Sequence, residues 1–153
     1  MYQRVLVPVD GSPTSNRGLA EAIALARLTG GRMRLINIVD MFGIAMEANA
    51  FAGVSGELIP LMREGGQKVL ALARAQAEAA GVGVDTALRE GFGGRVSDLV
   101  IDEARAWAAE LIVIGTHGRR GVGRLLLGSD AEQILRMAPV PVLLVRGQSM
   151  AAS

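Results

Sequence analysis

Residues 111–130 read LIVIGTHGRRGVGRLLLGSD, and the rest of the chain takes its meaning from this stretch. Leu111, Ile112, Val113 and Ile114 are a short apolar run of strand character. Gly115 and Gly118 follow in Gly-Thr-His-Gly, then nine residues, then Gly128 and Ser129, and residues 130–138 have the period of a helix. Glycine at 115 and 118 lets a loop turn sharply and lets a ligand approach the backbone with no Cβ in the way. Gly128 and Ser129 open a helix whose first amides lack intrahelical partners and carry the positive end of the helix dipole. A strand, a glycine loop and a helix in this order suit a phosphate chain. Arg119, Arg120 and Arg124 lie within the loop and could add charge-assisted bonds. Chain geometry alone also accounts for such a loop, and a solvated face for the arginines, so the spacing leaves both readings open.

The whole chain has 153 residues, one domain's worth, and half of them are hydrophobic, enough for a sizeable core. Sixteen basic residues against 15 acidic ones leave a net charge of +1, which argues against a general polyanion-binding surface. With so few aromatic residues, a nucleic-acid partner is not expected. The absence of cysteine excludes disulfides and thiol chemistry. The apolar start is broken at Pro8 and no run is long enough to span a bilayer, so the expectation is a cytoplasmic protein without membrane contact.

In chain order, residues 4–9 read as a strand buried on both faces and ended by Asp10 and Gly11, with Pro8 where pairing stops. Ser12 as N-cap and Pro13 as first residue begin a helix with Leu19, Ala22, Ile23 and Ala26 on its inner face, stopped at Gly30 and Gly31. Residues 33–39 form a second strand, and Asp40 after it suits a turn. Residues 41–58 have no clean period and read as a local cap over the core or as a flap over a ligand. A helix over 57–80 follows, with Ile59, Met62, Val69, Ala73, Ala77 and Ala80 on one side and a bend or break expected at Gly65 and Gly66. Alternation over 84–90 suggests an edge strand with one wet face. A helix over 95–108 collects Val96, Leu99, Val100, Ala104 and Trp107 in the core, with no stacking role expected for the tryptophan. In the last helix, Ser129 and Glu132 have the spacing of a capping box, and Ala131, Ile134, Leu135 and Ala138 share the inner face. Residues 140–145 are a fifth strand. At an edge, the apolar run from Val140 to Val145 would need covering, and pairing with a second copy of the chain is expected.

Five strands alternating with four helices imply an α/β fold, a single open parallel sheet with helices on both faces. Ligands of such sheets bind outside the carboxyl ends of strands where the winding reverses. Asp10 ends the first strand and Gly115 ends the fourth.

The spacing Gly, two residues, Gly, nine residues, Gly-Ser resembles the nucleotide-binding signature of the ATP-binding branch of the universal stress protein family. The likeness covers nearly the whole chain, from Val5, Leu6, Val7, Pro8, Val9, Asp10, Gly11 and Ser12 to Pro139, Val140, Pro141, Val142, Leu143, Leu144 and Val145. It implies one domain over 1–146 with a loose tail over 147–153, and a Rossmann-like sheet of order 3-2-1-4-5. Pro8, Val9 and Asp10 would line the adenosine pocket, and the backbone of Ile38 and Val39 would contact adenine. Ile114, Gly115 and Thr116 would lie near the ribose, and Gly118, Arg119, Gly128, Ser129 and Asp130 around the phosphates. ATP, AMP or ADP is the implied ligand; from the residues themselves, the carboxylates of Asp10 and Asp40 end neighbouring strands and could share a magnesium with its phosphates, with Asp10 the metal candidate. The chain departs from the family pattern at Asp130, where Val or Thr is usual and where a carboxylate would oppose phosphate.

Other chemistry finds little support. No Gly-Lys-Ser/Thr follows the glycines and no Gly-x-Gly-x-x-Gly follows the first strand, so P-loop and dinucleotide fingerprints are missing. His117 is the sole histidine, with no nucleophile or second base beside it in sequence. Three readings follow: a homodimeric ATP-binding stress or signalling module with slow or no turnover and an unidentified protein partner; a slow metal-dependent ATPase; or a nucleotide-free interaction protein.

Overall fold

The computed structural model describes residues 1–42, 46, 55–116 and 128–147. Nine elements follow in order: β1 Arg4–Pro8, α1 Pro13–Thr29, β2 Arg32–Asp40, α2 Ser55–Ala79, β3 Gly83–Gly91, α3 Val96–Ala106, β4 Leu111–Thr116, α4 Ser129–Met137 and β5 Val142–Arg146. The strands form one sheet of order β3-β2-β1-β4-β5, and every neighbouring pair is parallel. The α/β class is what the alternation of elements implies, and the Rossmann-like strand order is what the family resemblance implies.

Period-two alternation divides the core between the two faces. Val5 and Val7 of β1 point to one face, where they pack with Leu19, Ala22 and Ala26 of α1 and Leu70, Ala73 and Ala77 of α2. Leu6 points to the other, with Val100 and Ala104 of α3 and Ala131 and Ile134 of α4. Because β1 is central and covered on both faces, Val5, Leu6 and Val7 are fully buried. The edge strand β3 is half-exposed along most of its length, as its alternation suggests.

The caps of α1 follow the sequence. Ser12 Oγ accepts from the Ser15 amide at 3.2 Å, Pro13 begins the helix, and Gly30 ends it in the left-handed conformation at φ +70°. Pro8 is the last residue of β1, where the proline costs no ladder bond.

Four local expectations are corrected. The helix α2 runs unbroken through Gly65 and Gly66. The second glycine serves a close contact: a Cβ at Gly66 would lie 2.7 Å from both Asn37 Oδ1 and Leu88 Cδ1, so its absence lets α2 lie close on β2 and β3. Met62 is 43% exposed, and the inner stripe is carried by Leu70, Ala73 and Ala77. The capping box of α4 does not form. Gly128 is the N-cap and Ser129 is already helical, so its hydroxyl stands one residue too late to cap. Glu132 instead pairs with Arg136 at 2.8 Å, one turn on. Leu135 is 45% exposed because α4 is short and buries only a narrow stripe through Ala131 and Ile134.

The strand β4 extends to Thr116, two residues beyond the apolar run, and β5 begins at Val142, after the prolines. Leu143 of β5 is 40% exposed on the second edge.

Candidate functional site

A crevice of about 390 Å³ opens at the carboxyl ends of β1 and β4. These strands are neighbours in the sheet, and the winding reverses between them. Its floor is apolar, made by Ile36 and Ile38 of β2, Val100 of α3, Ile114 of β4 and Ile134 of α4. Its rim is polar, from the β1–α1 turn on one side and the start of α4 on the other.

The β1–α1 turn is held by its own side chains. Asp10 Oδ1 accepts from the Ser12 amide at 2.8 Å, while the Asp10 amide donates to Ser15 Oγ at 3.0 Å. Ser12 Oγ and Thr14 Oγ1 lie 3.2 Å apart. Gly11 supplies the left-handed residue this turn requires, at φ +80°. Below the turn, α1 comes down on the end of β4 with no room for side chains. A Cβ on Gly115 would lie 1.9 Å from the Thr14 carbonyl oxygen, and one on Gly18 would lie 2.8 Å from the Gly115 amide nitrogen. Gly115 is therefore glycine because helix meets strand there, a packing reason that suffices without a ligand.

Gly128 is a different case. Its φ of −55° is open to any residue, and a Cβ there would meet nothing within 4 Å. Packing against the described residues does not require glycine at 128. Beyond it, no side chain among the described residues caps the first amides of α4, and Ser129, Asp130 and Ala131 all line the crevice. An uncapped helix start beside open space is an anion-receptive arrangement.

Of the residues singled out in the sequence, the crevice gathers Pro8, Val9 and Asp10 from β1 and its turn, Ile38 from β2, Ile114, Gly115 and Thr116 from β4, and Gly128, Ser129 and Asp130 from the start of α4. The Val39 side chain turns away from them and packs with Met41, Leu58 and Ile59. His117, Gly118, Arg119, Arg120 and Arg124 lie outside the described residues, as does most of the 41–58 stretch. Sequence reading missed Thr14, Ser15 and Asn37 in this neighbourhood. Asn37 is buried, and its Nδ2 donates to the Val9 carbonyl at 2.8 Å, tying β2 to the end of β1. A polar residue inside the apolar run 33–39 was the available signal.

Asp10 spends one carboxylate oxygen on the turn, which leaves one for a cation shared with phosphate. Among the described residues, no three His, Cys, Asp or Glu side chains converge on a metal-sized centre. Asp40 accepts from the Phe42 amide at 3.1 Å, the turn role its position suggests.

A second ionic constellation lies on the β2–β3 side of the sheet. Arg34 donates to Asp85 at 2.6 Å and to the buried Glu103 at 2.8 Å, and Arg89 pairs with Glu103 at 3.2 Å. The Arg34 guanidinium lies 5.0 Å from the centre of the Trp107 ring and that of Arg32 5.9 Å. Trp107 is thus both a core residue and a platform for two arginines, which corrects the expectation of core packing alone. Burial pushes the Asp85 carboxyl up, but the hydrogen bond and charge of Arg34, with those of Arg32, bring it below its ordinary value.

An open parallel sheet with a crevice of apolar and polar lining at its switch point places the chain in the class of doubly wound α/β proteins. The sequence profile of the universal stress protein family matches residues 1–146, and the chain belongs to that family. It is 34% identical over 151 residues to the universal stress protein MJ0531 of Methanocaldococcus jannaschii, covering 95% of this chain and 83% of that one. Among solved structures, a universal stress protein family member from Burkholderia pseudomallei superposes with a TM-score of 0.76 at 32% identity, covering 94% of this chain and 96% of the other. Two more distant relatives share the fold. One is a universal stress protein in complex with cAMP, at TM-score 0.66 and 22% identity over 96% of this chain and 98% of that one. The other is an Arabidopsis thaliana family member with AMP bound, at TM-score 0.69 and 14% identity over 96% and 93%.

Proposed function

We propose that this universal stress protein binds an adenine nucleotide in the β1–β4 crevice and works as a homodimeric stress or signalling module with slow or no turnover. The observation that carries the reading is the uncapped start of α4, opening on a crevice that also gathers Asp10 and Gly115. Support comes from the glycine spacing 115, 118, 128 and from two fold relatives solved with AMP and with cAMP. In this reading the apolar floor takes adenine beside Ile38 and the Val39 backbone, and the Asp10 side receives the ribose. The amides of residues 129–131 face the phosphates, with Gly118 and Arg119 completing the cradle. ATP is the ligand the family resemblance implies, AMP and ADP being smaller versions of it. Magnesium would be held between phosphate oxygens and the free oxygen of Asp10. Nucleotide occupancy would then set contacts with a protein partner, and the second copy of the chain would pair along β5.

The test begins by denaturing freshly purified protein and identifying any released nucleotide by chromatography. Apo protein is then titrated with ATP and AMP, each with and without magnesium. Micromolar binding that Gly128→Val abolishes, with the fold intact by circular dichroism, supports the reading. No released nucleotide and no binding would leave the loop a structural feature, and the edge of β5 the place to look for function.

A further inference from the structure

The helices α1, α3 and α4 each begin beside residues that line the crevice, and α3 starts at Val96 without a side-chain cap among the described residues and with Asp98 in its first turn. Ser12 caps α1, whose first turn holds no acidic residue. Among the described residues no side chain caps α4 either, and its first turn holds Asp130 and Glu132. Glu132 is engaged by Arg136 one turn along the same helix. Asp130 is exposed, lines the crevice, and forms no ion pair among the described residues. The chain therefore places an anion of its own at the helix start where a ligand's anion would bind.

We propose that Asp130 is a specificity residue that selects against phosphate charge, so that the crevice takes metal-free nucleoside triphosphate poorly and accepts nucleotides with few phosphate charges or with their charge offset by a divalent cation. The proposal rests on the adenine-nucleotide reading of the crevice. In the empty protein the Asp130 carboxylate complements the positive end of the α4 dipole. A phosphate group on the amides of residues 129–131 meets that carboxylate within one helical turn. At such separations, partly desolvated like charges repel enough to weaken binding roughly tenfold or more. The penalty rises with each phosphate charge, is screened by salt, and is not felt by adenosine, which brings no phosphate.

The test is calorimetric titration of wild type and Asp130→Asn with adenosine, AMP and ATP, in chelator and then with magnesium. Asparagine keeps the side-chain shape and removes the charge. The ratio of the ATP and adenosine dissociation constants in chelator is expected to fall about tenfold in the variant, with adenosine binding unchanged. Magnesium should improve ATP binding more in wild type than in the variant, and added salt should narrow the gap between the two proteins. An unchanged ratio, or an equal change for ATP and adenosine, overturns the proposal and leaves the nucleotide reading standing. Failure of both proteins to bind any of the three compounds overturns the nucleotide reading and the proposal together.

Discussion

Gly115 and Gly128 belong to one sequence pattern yet have separate physical reasons. At Gly115 the carbonyl of Thr14 occupies the space a Cβ would need. Gly115→Ala is expected to cost at least about 2 kcal/mol, read as a lower urea midpoint with an unchanged slope. At Gly128 no described residue would meet a Cβ within 4 Å, and Gly128→Ala should cost less than about 1 kcal/mol in the same experiment. A large loss at 128 would mean that packing, not a ligand, holds that glycine. Asp85 sets a pH dependence at the same scale. Its carboxyl lies below its ordinary value in the folded chain, so its ion pairs stabilise fully above the unfolded value of about 3.8 and that stability is lost as pH falls through the lower folded value. Asp85→Asn should therefore flatten the acid limb of the stability curve, and an unaltered limb would show that the pairs with Arg32 and Arg34 contribute nothing. None of this was visible in the notation Gly-x-x-Gly or in the alternation of 84–90, because a clash and an ion pair both need a second segment.

At the scale of elements, the strands and helices were legible because their periods are set by backbone geometry and burial. Their ends were less so. The first residue of α4 depends on where the chain leaves the preceding loop, which moved the N-cap from Ser129 to Gly128 and dissolved the capping box. The two glycines in α2 looked like a break, yet the helix holds because Gly66 exchanges helix propensity for close contact with Asn37 and Leu88. β5 carries the element-scale prediction. Among the described residues no strand pairs with its outer edge, and Leu143 is half-exposed on it. If the second copy pairs there, Leu143→Lys should shift sedimentation from dimer to monomer without loss of helix content. A variant that sediments as wild type would put the dimer contact elsewhere.

For the whole molecule, a ligand that binds only the folded chain stabilises it by mass action. Adenine nucleotide at a hundred times its dissociation constant should raise unfolding stability by about 2.7 kcal/mol, seen as a concentration-dependent rise in melting temperature. The rise should vanish in Gly128→Val while that protein's own melting temperature stays near wild type. Loss of both together would point to a damaged fold, not a blocked site.

By itself the sequence determined the class of fold and the two-faced core, and it placed Asp10 and Gly115 close to the carboxyl ends of β1 and β4, which fall at Pro8 and Thr116. Those follow from local period and from glycine and proline placement, which one segment expresses alone. Tertiary structure decided everything that depends on distance between segments: that α1 presses on Gly115, that Asn37 ties β2 to β1, that Trp107 carries two arginines, and that Asp130 shares a crevice with the uncapped amides beside it. Each is a contact between residues far apart in the chain or an orientation set by packing, and local periodicity encodes neither.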